Sequence, residues 1–237
     1  METQNDNSNI QKESSGVEGL DEALRGGLPK GSVILITGSA GSGKTLISMQ
    51  FLAYGARNGE NGIYFTLEES AKSIIEQFSV FDKDVEKLIA DGKLKIVEIP
   101  LVDYESLRET ILSEIEASDA KRIVIDSITY FQMFFSDVIS IRKAIIEIAS
   151  SLKIKGASGI LIGEIPFGEN KLSTFGVEEF AVDGVIALYL LGKGNSFVRA
   201  LRIIKMRNSN HITKFIPMEI TSKGVVTYPS SEVFADI

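Results

Sequence analysis

A glycine-rich segment, Gly38-Ser-Ala-Gly-Ser-Gly-Lys-Thr45, follows an apolar, β-branched run and precedes a helical pattern. It fits the phosphate-loop pattern G-x-x-x-x-G-K-[ST] at every required position, which restricts the chain to α/β folds. Small residues let successive backbone N–H groups turn toward a phosphate, at the positive end of the following helix. The pattern predicts a nucleotide site on this segment, hereafter the P-loop, with Lys44 on the β- and γ-phosphates and Thr45 on magnesium. The residues predicted to bind the nucleotide are Gly38, Ser39, Ala40, Gly41, Ser42, Gly43, Lys44 and Thr45.

Short apolar runs alternate with helical patterns from residue 33 to residue 163. This alternation predicts a mainly parallel central sheet that is covered by helices on both faces. From residue 184 onward, strand-like segments are separated by Gly, Asn or Ser turns, which predicts an antiparallel C-terminal extension of the same sheet. The polar residues 1–14 are predicted to be disordered. We therefore expect a single α/β domain over residues 15–237.

Composition excludes several classes of protein. There is no cysteine and only one histidine, His211, so disulfide frameworks, thiolate zinc sites and histidine-rich metal sites are excluded. The formal net charge of −7 argues against a nucleic-acid binder, which needs a basic surface. No apolar run approaches the ~20 residues that span a bilayer, so no membrane insertion is expected. A cytoplasmic protein is the default expectation.

Carboxylates follow two of the predicted strands. Asp126 ends the run Ile123-Val-Ile125 and is predicted as the second magnesium-site residue, because ligands bind at the carboxyl ends of parallel strands. Glu68 and Glu69 follow another strand, and a carboxylate there would polarise the water that attacks a γ-phosphate. The alternative is a plain helix start, since Thr66 and Glu69 have the spacing of a capping box.

Lys205 and Arg207 lie two residues apart near the end of a predicted strand and are expected to point to the same face. Such a pair of cations would reach the γ-phosphate of a neighbouring subunit in the manner of an arginine finger. A solvated pair on an edge strand explains the spacing equally well. From the residues alone, His211 reads as a surface histidine.

Several further segments resemble the KaiC family of RecA-like ATPases when they are taken together with the P-loop and Glu68-Glu69. These segments are Gly16-Val-Glu-Gly-Leu-Asp21, Gly26-Gly-Leu-Pro-Lys-Gly31, Gly176-Val-Glu-Glu-Phe180, Asp183-Gly-Val185, Lys205-Met-Arg207 and Asn210-His211. The resemblance implies a RecA-like fold, a hexameric ring and ATP between adjacent subunits. It also implies catalytic roles for Glu68 and Glu69, and contacts from Lys205, Arg207 and His211 to the nucleotide of the next subunit. Lys44 of the P-loop is the third predicted catalytic residue.

The chain departs from the clock protein of that family in three respects. It has one ATPase domain where the clock protein has two in tandem. Glu179-Phe180 replace the Ser-Thr pair that takes phosphate in the second clock domain, and Ile165 replaces an arginine of the first. A circadian role is therefore unsupported.

The sequence thus predicts a Mg²⁺-dependent ATPase whose sites lie at subunit interfaces of a homo-oligomer, a hexamer by resemblance, and which regulates assembly or an unidentified protein partner. Two alternatives stay open. One is a nucleotide-gated scaffold with negligible hydrolysis, in the style of the regulator of the archaeal swimming motor. The other is a RadA-like DNA recombination or repair ATPase, against which the acidic charge weighs.

Overall fold

A computed structural model of the chain describes residues 10–100, 103–169 and 171–233. The strands are β1 (Lys12–Glu13), β2 (Leu28–Pro29), β3 (Val33–Gly38), β4 (Gly62–Thr66), β5 (Leu94–Glu98), β6 (Arg122–Asp126), β7 (Ser158–Glu164), β8 (Gly184–Lys193), β9 (Ser196–Met206), β10 (Ile216–Thr221) and β11 (Gly224–Thr227). The helices are α1 (Leu20–Ala23), α2 (Lys44–Arg57), α3 (Ala71–Ser79), α4 (Val85–Ala90), α5 (Tyr104–Ser118), α6 (Val138–Ile154) and α7 (Glu178–Ala181), with a 3₁₀ helix at Ile128–Met133.

Nine of these strands form one sheet in the order β11-β10-β9-β8-β3-β7-β6-β4-β5. The pairings from β8 to β5 are parallel, whereas β9, β10 and β11 pair antiparallel. All six residues of β3 are buried, as expected for a strand covered on both faces. The predicted α/β fold, with a parallel centre and an antiparallel C-terminal extension, is confirmed.

The alternating side chains of β3 separate the core into two layers. Ile34 and Ile36 pack on the layer formed by α1, α2, α3 and α4, whereas Val33 and Leu35 pack on the layer formed by α5, the 3₁₀ helix and α6. Parallel strands have their carboxyl ends at one edge of the sheet, which we call the C-terminal edge. The P-loop and the residues after β4, β6 and β7 lie at this edge.

Ordered structure begins before the predicted boundary at Ser15. Residues 1–9 of the segment predicted to be disordered lie outside the described residues. Further along the same segment, β1 pairs antiparallel with β2. The polar side chains here have partners that composition does not reveal: Lys12 Nζ donates to the Leu24 carbonyl at 2.8 Å and Ser14 Oγ to Asp21 Oδ2 at 2.5 Å. The described part of the segment is therefore built into the domain.

The alternative interpretation of Thr66 and Glu69 as a capping box is wrong. Helix α3 begins at Ala71, and its N-cap is Ser70, whose side chain accepts from the Ser73 N–H at 3.1 Å. Thr66 Oγ1 instead bonds to the main chain of Glu69 within the loop. Glu68 and Glu69 therefore lie in the loop between β4 and α3 and not in a helical turn.

None of the helices within the described residues is long and apolar enough to span a membrane.

Candidate functional site

The P-loop joins β3 to α2 with a backbone that only small residues permit. A Cβ on Gly38 would lie 2.7 Å from the carbonyl oxygen of Leu188 on the neighbouring strand β8. Gly43 has φ 106° at the N-cap of α2, in the left-handed region that favours glycine. The loop therefore wraps closely around the N-terminus of α2, where the helix dipole favours an anion.

Lys44 is the buried cation of the loop, with 7% of the residue exposed. Its Nζ donates to the carbonyls of Gly38 at 3.0 Å and Ser39 at 3.1 Å. Burial lowers the pKa of Lys44, and the neighbouring carboxylates of Glu164, Asp126 and Glu68 act in the opposite direction. Beside it, Ser42 Oγ is buried and has no hydrogen-bond partner within the described residues. An unpaired buried hydroxyl fits a loop that is completed by a phosphate ligand.

Thr45 and Asp126 converge although 81 residues separate them, with Thr45 Oγ1 3.3 Å from Asp126 Oδ2. The buried hydroxyl of Tyr64 also donates a short hydrogen bond to Asp126 Oδ2. Burial raises the pKa of Asp126 to about 6, and the Tyr64 hydrogen bond acts against this rise. Oxygen ligands from one hydroxyl and one carboxylate suit Mg²⁺, which keeps waters and phosphate oxygens as its other ligands. Within the described residues, no cluster of three or more His, Cys, Asp or Glu side chains forms a metal site.

Glu68 lies near Thr45 and Asp126, in the loop that follows the neighbouring strand β4. Because β4 and β6 are neighbours, with Thr66 opposite Asp126, the loop after β4 lies beside the loop after β6. Ser127 Oγ donates to Glu68 Oε1 at 2.8 Å, and Ser127 itself is fully buried. A buried hydroxyl thus holds an exposed carboxylate next to the candidate magnesium residues.

Glu69 has different partners. Its Oε2 accepts from Ser73 Oγ at 2.8 Å and from Gln77 Nε2 at 2.6 Å, both on α3. The structure therefore brings Lys44, Thr45, Asp126 and Glu68 together, and Glu69 lines the same cavity with its Oε2 bonded to α3.

A cavity of about 390 Å³ opens at this point and has two different halves. One half is polar and contains the P-loop together with the carboxylates. The other half is apolar and lies between α2, α3 and β10. Its apolar lining residues are Leu46, Met49, Ile74, Phe78, Phe81 and Ile220.

Lys205 and Arg207 lie at the opposite edge of the sheet. Met206 pairs with Gly184 whereas the P-loop residue Gly38 pairs with Leu188, a separation of about 13 Å along β8. Lys205 Nζ donates to the carbonyls of Glu179 and Val182 at 3.0 and 2.6 Å.

Arg207 and His211 complete this edge. An Arg207 Nη1 lies 3.6 Å from Asp183 Oδ1, so Arg207 and Lys205 reach the same segment, as the two-residue spacing predicts. The Nδ1 atom of His211 is buried without a partner in the described part of the chain. None of the three side chains approaches the P-loop of its own chain.

Four further residues of the site were not predicted from the sequence. Tyr64 and Ser127 hold Asp126 and Glu68, and Arg199 Nε donates to the Gly41 carbonyl of the P-loop at 3.2 Å. Glu164 lines the cavity at the end of β7. Only Glu164 has a local signal, because it ends an apolar strand as Asp126 does. Arg199 is 158 residues from Gly41, and nothing in its own segment indicates the contact.

Comparison with known proteins gives consistent matches over nearly the whole chain. A family model described as "ATPase: KaiC" matches residues 13–232. A UPF0273 protein of Thermotoga maritima is 32% identical over 238 residues, covering 93% of this chain and 97% of that protein. The circadian clock oscillator protein KaiC of a Picosynechococcus species is also 32% identical over 231 residues. That match covers 93% of this chain but 45% of the clock protein, so the chain spans about half of its length.

A solved structure agrees with these matches. The crystal structure of a KaiC-like protein from the hyperthermophilic archaeon Pyrococcus horikoshii OT3 superposes with a TM-score of 0.85. The two chains are 37% identical, and the match covers 93% of this chain and 100% of the other.

Proposed function

The chain belongs to the KaiC family of RecA-like ATPases, and we propose from that premise that it binds ATP with Mg²⁺ and hydrolyses it in sites shared between the subunits of a homo-oligomer. The observation that carries the proposal is the convergence on one cavity of a P-loop lysine, a Thr45–Asp126 pair and a carboxylate held by Ser127. This set supplies the parts that phosphoryl transfer needs.

The phosphates of ATP would lie on the P-loop. Lys44 would exchange its hydrogen bonds to the Gly38 and Ser39 carbonyls for bonds to phosphate oxygens, and Ser42 Oγ would gain a partner. Thr45 and Asp126 would hold Mg²⁺, which neutralises charge on the phosphates. Phosphoryl transfer depends mainly on positioning and charge stabilisation, so fixed donors at this edge account for much of the catalysis.

Glu68 is positioned to orient the attacking water. Its carboxylate is exposed to the cavity, and Ser127 Oγ fixes one of its oxygens while the other can accept from water. General-base assistance of this kind contributes about 10²–10⁴-fold to a rate. Glu69, which the family resemblance also places among the catalytic residues, has its carboxylate committed to α3.

The apolar half of the cavity suits the nucleoside. A purine needs an apolar surface beside the phosphate site, and small-molecule sites are commonly apolar with a few polar groups. Met49, Phe78 and Ile220 provide this surface next to the P-loop. The base would lie between α2, α3 and β10.

Lys205 and Arg207 are proposed to complete the site of the adjacent subunit, with His211 beside them. They lie at the opposite edge of the sheet from their own P-loop, so a contact with nucleotide requires a second copy of the chain. In the free subunit the Glu179 and Val182 carbonyls and Asp183 hold the two cations at the surface. A hexameric ring in the cytoplasm is the assembly that the family implies. We propose that nucleotide state controls its assembly or a protein partner and that nucleic acid is not a partner.

The test measures Mg²⁺-dependent ATP hydrolysis per subunit over a range of protein concentrations, without DNA. Specific activity is expected to rise with concentration, to fall at least about 100-fold in Glu68→Gln, and to fall in Lys205→Ala and Arg207→Ala. Lys214→Ala is the matched control, because Lys214 is an exposed cation on the loop that follows β9. ATP binding without hydrolysis at any concentration would favour the nucleotide-gated scaffold. Hydrolysis that requires DNA, with binding that weakens steeply in salt, would favour the recombination ATPase.

A further inference from the structure

Glu68 and Glu69 are adjacent in sequence, but their side chains belong to different parts of the site. Glu68 is held by Ser127 next to Asp126. Glu69 Oε2 accepts hydrogen bonds from Ser73 and Gln77, which lie four and eight residues further along the chain. Gln77 Nε2 also donates to Ser73 Oγ at 3.0 Å, so the three side chains form one connected row along α3.

The main chain of Glu69 is fixed as firmly as its side chain. Thr66 Oγ1, at the buried end of β4, accepts from the Glu69 N–H at 3.1 Å and donates to the Glu69 carbonyl at 2.7 Å. The residue therefore links β4 to α3 through both its backbone and its carboxylate. Glu69 Oε2 is held by two donors on α3, whereas Glu68 Oε1 is held by Ser127 next to Asp126, so Glu68 is the carboxylate fixed beside the candidate magnesium residues.

Helix α3 forms one wall of the apolar half of the cavity. Ile74, Gln77 and Phe78 have the i, i+3, i+4 spacing of one helix face and line the cavity. Ser73 is bonded to Glu69 but does not line the cavity. Glu69 and Gln77 both line the cavity, and Ser73 joins them from behind it, so the Glu69–Ser73–Gln77 row sets the position of this cavity wall.

We infer that Glu69 is a positioning residue that holds α3 against the nucleoside of the bound nucleotide, and that Glu68 alone of the pair acts on the water. This inference rests on the proposed function, because it assigns the apolar half of the cavity to the nucleoside. It also differs from the expectation that both glutamates are catalytic.

The test compares ligands with and without a nucleoside. Dissociation constants for Mg²⁺-ATP and for Mg²⁺ with inorganic tripolyphosphate are measured by titration calorimetry on the full chain. Glu69→Ala and Ser73→Ala break the row from its two ends. Lys72→Ala is the matched control on α3, because Lys72 is highly exposed and pairs only with Glu76 in the described structure.

Glu69→Ala is expected to weaken ATP binding by roughly three- to tenfold, the scale of a lost hydrogen bond to a charged, exposed group. Tripolyphosphate binding should stay within about twofold of the wild type. Ser73→Ala should reproduce this pattern, and combining it with Glu69→Ala should add little because both changes break one row. In hydrolysis assays KM should rise in Glu69→Ala while kcat changes by less than about threefold, whereas kcat collapses in Glu68→Gln.

Three results would overturn the inference. The first is a loss of kcat in Glu69→Ala comparable to that in Glu68→Gln, with ATP affinity unchanged. The second is an equal weakening of ATP and tripolyphosphate, which would place Glu69 at the phosphates. The third is no change in any constant. A wild-type protein that binds ATP without hydrolysing it refutes the catalytic part of the proposed function, while the two binding measurements still decide this inference.

Discussion

Arg122→Met is expected to destabilise the protein by about 3 kcal/mol, the lower end of what breaking a buried ion pair costs. Arg122 begins β6, the strand that ends in Asp126, and only 2% of its side chain is exposed. Its Nε lies 2.8 Å from Glu60 Oε2, and its Nη1 donates to the carbonyls of Ser14 at 2.9 Å and Phe51 at 3.0 Å. The guanidinium carbon also lies 4.5 Å from the centre of the Phe51 ring.

The magnitude follows from what each partner loses. Removing one member of a buried ion pair costs about 3–5 kcal/mol when the other charge is left unpaired. Here Glu60 is 20% exposed and keeps Lys30 at 2.9 Å, so the remaining carboxylate is not stranded and the lower value applies. Methionine keeps most of the apolar volume, which limits any cavity term. For a chain of this size, about 3 kcal/mol lowers Tm by roughly 6–12 °C.

Thermal unfolding followed by circular dichroism, at one fixed protein concentration and without nucleotide, measures this shift. Lys121→Met is the matched control, since Lys121 precedes Arg122 but is 42% exposed and its charge pairs with the exposed Asp119. The control is expected to stay within about 0.5 kcal/mol of the wild type. If Arg122→Met melted within about 2 °C of Lys121→Met, the buried cluster would not be a stability determinant, and the reasoning from its burial and contacts would be wrong.

Three shorter predictions concern the site and the first strand. Tyr64→Phe removes a hydrogen-bond donor that opposes the rise in the pKa of Asp126, so the acid limb of the pH profile of kcat/KM should shift to higher pH by about one unit. An acid limb at the wild-type pH would contradict this prediction. Burial raises the pKa of Glu13, so the folded protein loses stability as the pH rises through the raised pKa of Glu13 and the buried carboxyl ionises. Glu13→Gln should therefore have a higher Tm than the wild type at pH 8 but not at pH 4. An equal difference in Tm at both pH values would refute this prediction. Gly38→Ala places a Cβ 2.7 Å from the Leu188 carbonyl and 2.9 Å from Ser42 Oγ, so calorimetry should show ATP affinity lost while Gly192→Ala, which has open space and no positive φ, retains it.

Much of the fold could be predicted because its signals are local. The P-loop needs eight consecutive residues between a strand and a helix, and buried parallel strands are continuous apolar runs. Asp126 is predicted as a magnesium-site residue because it ends such a run. The same reasoning did not extend to β1, because polar residues such as Lys12 and Ser14 take partners that lie elsewhere in the chain.

The separation of Glu68 from Glu69 shows where local reasoning stops. Both follow β4 and both are acidic, so no local pattern assigns them different hydrogen-bond partners. Their hydrogen-bond partners come from different elements, Ser127 after β6 for Glu68 and α3 for Glu69. The catalytic assignments of Glu68, Glu69, Lys44 and the Lys205–Arg207 pair stay predictions until they are measured.

By itself the sequence determined the phosphate loop, the parallel α/β core and the family, because each depends on residue types at fixed short spacings. Tertiary structure alone decided which side chains share the site. The strand order β8-β3-β7-β6-β4 differs from the order along the chain, so crossovers bring Thr45 to Asp126. Strand β9 pairs with β8, the neighbour of β3, and this places Arg199 on the Gly41 carbonyl. These two contacts join residues that are 81 and 158 positions apart in the sequence. They leave no periodic pattern in the sequence, because they depend on how the strands are ordered in space.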